Sequence, residues 1–238
     1  MISFIVPAYN EEAELPSTLA AIRAAVCGGS QPCEIIVVDD ASTDATPEIA
    51  EQAGARVVSI HGRQIAAARN AGAQAARGDY LFFVDADTRI NGAHVVQAIT
   101  AMKSGCAGGS ARVNMRGAVP LWGRIFVRLF CSLYFGLGLG AGAFLFTTRQ
   151  NFNAIGGFDE QYFVGEEVYF SLALRKLGSF KVLEEPILTS GRKLRMYPAR
   201  QVFGNFLAVL VGGPRVARSR ARLHLWYDGK RETDAVYE

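Results

Sequence analysis

Residues 80–87 read Tyr80-Leu81-Phe82-Phe83-Val84-Asp85-Ala86-Asp87, an uncharged run that ends on two carboxylates one residue apart. A short apolar run bounded by a charged turn fits a strand buried on both faces, as in a parallel sheet covered by helices. Residues 2–6, 35–38 and 56–60 are comparable runs, and each is followed by a turn and a longer amphipathic stretch. This rhythm predicts an α/β fold with a mainly parallel central sheet and crossover helices. Pro16 and the triplet Thr46-Pro47-Glu48 mark two helix starts. A first-turn proline gives up an N–H that lacks a partner anyway, a first-turn acid meets the positive end of the helix dipole, and Thr46 or Asp44 is the expected cap. Ligands of such sheets lie beyond the carboxyl ends of the strands, which directs attention to residues 7–11, 39–44 and 85–87.

The 238 residues, 50% of them hydrophobic, suffice for one substantial core and leave little for a second independent domain. Cys27, Cys33, Cys106 and Cys131 lack the paired spacing of a zinc site and the density of a disulfide scaffold, and are expected to be reduced core thiols. The chain opens directly on an apolar strand, without the basic and long apolar regions of a signal peptide, so a cytosolic site of action is expected. The net charge of +3 conceals a division: residues 1–87 carry twelve acids and five bases, residues 88–238 ten acids and twenty bases. No acid occurs in 88–158 or in 186–227, and the second stretch holds Arg192, Lys193, Arg195, Arg200, Arg215, Arg218, Arg220 and Arg222. Such one-sided runs mark contact with something anionic, a phosphate or a membrane surface.

The second half is less regular. A strand is expected at 109–114, an apolar segment at 118–146, a helix near 166–177 and a basic tail after it. Residues 129–146 are eighteen positions without a charge, long enough on that count to cross a bilayer. Glycines at 136, 138, 140 and 142 argue instead for an extended, closely packed backbone. Arg116, Arg124 and Arg128, spaced by eight and four, are expected on one face of an interfacial helix.

The chemistry centres on Asp85-Ala86-Asp87. Mg²⁺ and Mn²⁺ take oxygen ligands and commonly share one or two carboxylates with substrate phosphates. Asp39-Asp40 ends a second strand, with more acid than a cap requires, and one of the pair is suited to accept the imide N–H of a uracil ring. Arg63 and Arg69 are the nearby cations for a diphosphate. Glu166 and Glu167 supply a second acidic site, either as first-turn acids or as a base for an acceptor hydroxyl.

Six motifs occur in chain order: Val6-Pro7-Ala8-Tyr9-Asn10-Glu11-Glu12, Val37-Val38-Asp39-Asp40-Ala41-Ser42-Thr43-Asp44, Ala68-Arg69-Asn70-Ala71-Gly72, Asp85-Ala86-Asp87, Gly156-Gly157-Phe158-Asp159-Glu160 and Gly165-Glu166-Glu167. Together they resemble family 2 of the inverting glycosyltransferases over roughly residues 2–185. The resemblance implies a GT-A-like, Rossmann-related fold: a mainly parallel sheet flanked by helices, with a C-terminal helical basic extension. It implies a glycosyltransferase domain at 1–190, with a nucleotide-sugar part (1–115) and an acceptor part (116–190), ahead of a basic, membrane-associated extension (191–238).

By the same resemblance Pro7, Ala8, Tyr9 and Glu11 line the nucleoside pocket, Asp40 holds the base, and Arg69 lies near the base or diphosphate. Asp85, beside Ala86, contacts ribose or metal, Asp87 ligates Mg²⁺ or Mn²⁺, and Glu167 or Glu166 is the catalytic base. The family pattern has Glu-Asp where this chain has Glu-Glu. The implied donor is a nucleotide diphosphate sugar, UDP before GDP. The expected acceptor is lipid-linked or membrane-bound, and the expected location is peripheral, at the cytoplasmic face of an anionic membrane; nucleic acid is not an expected partner. Three other readings compete. A GT-A module that binds nucleotide without catalysis is compatible with Glu-Glu. An NAD-dependent dehydrogenase is suggested by the GxGxxA match at Gly138, Gly140 and Ala143, but residues 143–148 read as strand where that fingerprint needs a helix. A sugar-1-phosphate nucleotidyltransferase would need a glycine-rich loop where Pro7-Ala8-Tyr9 stands.

Overall fold

A computed structural model describes residues 1–27, 29, 31–220 and 223. In chain order the elements are β1 (Ile2–Ala8), α1 (Leu15–Val26), β2 (Cys33–Asp40), α2 (Thr46–Gln52), β3 (Arg56–Ile60), α3 (Ile65–Ala75), β4 (Tyr80–Val84), β5 (Thr88–Arg89), α4 (Gly92–Lys103) and β6 (Gly108–Arg116). They continue with α5 (Leu121–Gly136), β7 (Phe144–Thr148), α6 (Arg149–Ile155), α7 (Glu166–Arg175), β8 (Phe180–Ser190), α8 (Arg192–Met196) and α9 (Ala199–Ala217).

The strands form one sheet in the order β3-β2-β1-β4-β7-β6-β8-β5. β3, β2, β1 and β4 run parallel, and the uncharged, buried strands β1 and β4 among them are covered on both faces. Alternate residues of β4 show it: Phe82 and Val84 join the core under α1 and α4, while Leu81 and Phe83 join the core under α3, α6 and α7. β7 is antiparallel to both β4 and β6, and β8 returns parallel to β6. Gly72 sets the depth of α3, since a Cβ there would lie 2.3 Å from Ile5 Cγ2 and 2.9 Å from Val38 Cγ2.

The glycines at 138 and 140 precede the antiparallel strand β7, so no helix follows them to receive a dinucleotide phosphate. Four expectations need correction. The run 129–146 is not extended as far as Gly142: its first part is helical to Gly136, because Phe126 and Phe130 pack edge-on against Phe206 of α9. Gly138, with φ +68°, then turns the chain out of the helix. Arg116 does not share a face with Arg124 and Arg128; it ends β6, before the Gly117 turn, and pairs with Glu14. Cys27 and Cys33 are free but exposed, not core. Thr46 is already helical, and Asp44 accepts its N–H at 3.0 Å. Arg222 lies outside the described residues.

Candidate active site

The carboxyl ends of β1, β2, β4 and the first turn of α7 face one cleft of about 540 Å³. Pro7, Ala8, Tyr9, Glu11, Asp40, Arg69, Asp85, Ala86, Asp87, Glu166 and Glu167 all line it. The backbone beside it is unusual: Asn10, Ala41 and Arg63 have positive φ (50°, 62° and 49°), each just beyond a parallel strand. Non-glycine residues are uncommon in that region and gather at functional sites. Side chains hold these turns, Ser42 Oγ accepting the Asn10 N–H at 3.0 Å and Asn10 Oδ1 the Thr43 N–H at 2.8 Å.

Asp40 is buried, and its two carboxylate oxygens accept the Arg63 and Gln64 N–H groups, each at 2.7 Å. It therefore orders the turn that leads into α3. Arg63, set by that turn, places its guanidinium carbon 3.1 Å from the centroid of the Tyr9 ring.

Two arginines organise the acids. Arg69, 1% exposed, donates to Glu166 at 2.6 Å, to Asp85 at 2.9 Å and to the Gly142 carbonyl at 2.8 Å. Arg192 donates to Glu11 at 2.7 Å and lies 3.3 Å from Asp87, whose other oxygen accepts the Thr189 hydroxyl at 3.2 Å. Burial alone would lower the proton affinity of Arg192, but the bonds to Glu11 and the charge of Asp87 outweigh it and hold the guanidinium protonated. Burial pushes the Asp85 carboxyl up to about 6 even with Arg69 beside it, and Asp87 adds to the rise.

Gly165 (φ +75°) turns the chain into α7 and sets its first two residues apart. Glu166 is buried against Arg69. Glu167 is half-buried, forms no ion pair among the described residues, and lies 3.4 Å from the Tyr134 hydroxyl, which donates to it. Burial and then the charge of Glu166 push the Glu167 carboxyl up to about 8. A carboxyl so placed is ready to exchange a proton near neutral pH.

Asp85 and Asp87 form a donor set suited to a hard divalent cation that keeps most of its sphere for water and substrate oxygen. No group of three or more His, Cys, Asp or Glu side chains converges on a point among the described residues, so an all-protein cage is not what the site offers. The other wall is apolar, with Val113, Phe126, Val127, Phe130 and Leu194. Arg192, Thr189 and Tyr134 were not singled out by sequence as site residues. Only the acid-free basic run after residue 186 pointed toward Arg192.

A family model described as glycosyl transferase family 2 matches residues 3–156. An undecaprenyl-phosphate 4-deoxy-4-formamido-L-arabinose transferase of Aeromonas hydrophila is 36% identical over 96 residues, 37% of this chain and 29% of that one. The succinoglycan biosynthesis protein ExoO of Rhizobium meliloti is 28% identical over 210 residues, 83% of this chain and 58% of that one. The matched stretches thus span less than two thirds of these relatives. Among solved structures, a mannosyltransferase of Pyrobaculum calidifontis in complex with GDP-Man and Mn²⁺ superposes with a TM-score of 0.63 at 19% identity, covering 91% of this chain and 62% of that one. That likeness establishes the fold.

Proposed function

The chain belongs to glycosyltransferase family 2, and from that premise we propose that it transfers a sugar, with inversion, from a nucleotide diphosphate donor to the hydroxyl of a lipid-linked or membrane-bound acceptor. The observation that carries this reading is the division of the acids around one cleft. Asp85 and Asp87 sit at the strand end where a diphosphate and its cation belong, while Glu167, half-buried and with a raised proton affinity, faces the same space from α7.

The geometry supports a division of roles. Tyr9 and the turn ordered by Asp40 receive the nucleoside, and residues 1–115 form the donor part of a 1–190 domain. Asp87, with Asp85, would hold Mg²⁺ or Mn²⁺, which when bound would supply positive charge to the leaving diphosphate. Arg192, 3.3 Å from Asp87, would meet the same diphosphate. Glu167 accepts the proton of the acceptor hydroxyl as its oxygen attacks the anomeric carbon and the bond to the diphosphate breaks. Glu166 is committed to Arg69 and positions the base instead of serving as it.

UDP-sugars are the favoured donors and GDP-sugars the alternative, the latter supported by the structural neighbour in complex with GDP-Man. The acceptor assignment draws support from the apolar cleft wall and from the relative named for undecaprenyl phosphate. A peripheral position at the cytoplasmic face, with residues 191–238 as a basic extension, completes the reading.

The test is to incubate the chain and Mn²⁺ with a panel of nucleotide sugars and measure the diphosphate released. Slow hydrolysis of one donor without acceptor is expected. Metal-dependent binding without release from any donor, with or without lipid acceptors, would favour a nucleotide-binding module.

A further inference from the structure

Helices α5 and α9 lie against each other beside the cleft, with aromatic inner faces paired and apolar outer faces uncovered. Phe126 meets Phe203 and Phe206 edge-on, with ring centroids 4.9 and 5.6 Å apart, and Trp122 lies 5.8 Å from Phe203. On the outer side of α5, Leu121, Ile125 and Leu129 are 71%, 60% and 72% exposed; on α9, Leu207, Leu210 and Val211 are 58%, 69% and 79% exposed. Spacing by four residues puts the α5 trio on one stripe, and the α9 residues share one face likewise. Single exposed leucines need no explanation, but a patch built from two helices does.

The border of the patch says what covers it. Arg124 and Arg128 flank the α5 stripe, Arg200 falls on the α9 face, all three are exposed, and neither helix contains an acid. Two copies meeting through this face would set like charges against each other around an isologous contact. A bilayer surface with anionic headgroups is complementary instead: apolar side chains enter among the acyl chains while arginines extend to the phosphates. Among the described residues no helix is long and apolar enough to cross a membrane, so these helices would lie along the surface.

We propose that the outer face of α5 and α9 docks on an anionic lipid bilayer and presents the cleft to acceptors held in that membrane. The proposal deepens the reading of the acceptor as lipid-linked and rests on it for what the docked cleft receives. Both helices also reach the site. Phe126 and Phe130 of α5 line the cleft, and Tyr134 donates to Glu167. α9 bends at Gly213, and beyond the bend the Ala217 carbonyl accepts the Phe163 N–H at 2.8 Å while Arg218 donates to the Tyr162 hydroxyl at 2.9 Å, in the segment that leads to Glu166. A docked face therefore fixes the orientation of the cleft as well as its distance from the lipid.

The experiment is co-sedimentation of the full chain with vesicles of phosphatidylcholine alone or mixed with phosphatidylglycerol, at low and high salt. Binding to the anionic vesicles at low salt is expected. Each of Arg124→Gln, Arg128→Gln and Arg200→Gln should lower partitioning about fivefold there, since a base near such a surface contributes on the order of 1 kcal/mol. The double variant Ile125→Glu/Leu207→Glu should abolish binding to the anionic vesicles, while circular dichroism and donor hydrolysis stay as in the parent, because both positions are exposed and outside the cleft. The parent failing to bind anionic vesicles, the double variant binding like the parent, or a dimer in solution that this variant dissociates and that does not bind vesicles, would each overturn the proposal. Donor hydrolysis read on the same samples reports on the transferase reading separately: its loss in the parent would count against that reading and leave vesicle binding to be judged by itself.

Discussion

Arg69 and Glu166 are joined at 2.6 Å although ninety-seven positions separate them in the chain. The pair ties α3, packed on the parallel half of the sheet, to the first turn of α7, and Asp85 at the end of β4 shares the same guanidinium. Three segments distant in sequence are thus fixed around one buried cation.

Removal of that cation leaves two carboxylates facing each other in a desolvated floor. Breaking a buried ionic pair by deleting one partner costs about 3–5 kcal/mol. Arg69→Ala is expected to lower the urea unfolding midpoint accordingly. Arg69→Lys should lose less stability, since it keeps the charge but lacks the fork that reaches both acids. A wild-type midpoint for Arg69→Ala would show that the pairing contributes nothing.

Much of this arrangement was legible in sequence, for a physical reason. A strand buried on both faces carries no charge along its buried length, so the bounds of β4 could be read from composition alone, and the acids after it had to be at the sheet's carboxyl edge. The split between Glu166 and Glu167 was not legible, because adjacent residues on a helix point about 100° apart and only the position of Arg69 shows which one is engaged. Arg116 was misassigned to a helix because its spacing to Arg124 and Arg128 is also compatible with a strand end followed by a turn. The long-range contact of Arg192 with Glu11, 181 positions apart, has no local signal.

The pH dependence of transfer tests the assignment of Glu167. A base must be ionised to accept a proton, and this carboxyl is pushed up to about 8 by burial and by Glu166. Transfer is therefore expected to fall on the acid side of about pH 8. The sign for stability is opposite: a carboxyl whose affinity for protons is raised in the fold stabilises it below its ordinary unfolded value, and this contribution disappears as pH rises through the raised one. Glu167→Gln should reduce turnover by about 10²–10⁴-fold with donor affinity retained, and should unfold at higher urea than the parent at pH 9. If Glu166→Gln alone loses turnover and keeps the parent's stability, the two glutamates have been assigned in the wrong order.

Asp87 lies beyond the end of β4, where its side chain contributes more to binding than to packing. Asp87→Ala is expected to abolish the Mn²⁺-dependent part of donor binding in calorimetry. The fold should remain close to the parent, because Arg192 keeps Glu11 as a partner. Unchanged Mn²⁺-dependent affinity would remove Asp87 from the metal site.

Arg192 links the basic run after residue 186 to the acids at the strand ends, and its contacts are unequal. It reaches Glu11 at 2.7 Å, a close and largely buried bond, and Asp87 only at 3.3 Å. The weaker contact is the one that a metal–diphosphate can replace: positive charge brought to Asp87 competes with the guanidinium, while donor phosphate offers it a new anion. Two effects of opposite sign follow. Arg192→Gln should weaken donor binding in the presence of Mn²⁺, because a cation beside the diphosphate is lost. The same variant should strengthen binding of Mn²⁺ alone, because Asp87 is released from its competitor. Calorimetry of metal and of donor separates the two, and an unfolding curve reports the cost of leaving Glu11 without that partner, which Glu11→Gln/Arg192→Gln should partly restore. Weakened binding of both metal and donor by Arg192→Gln would mean that the arginine only supports the shape of the site.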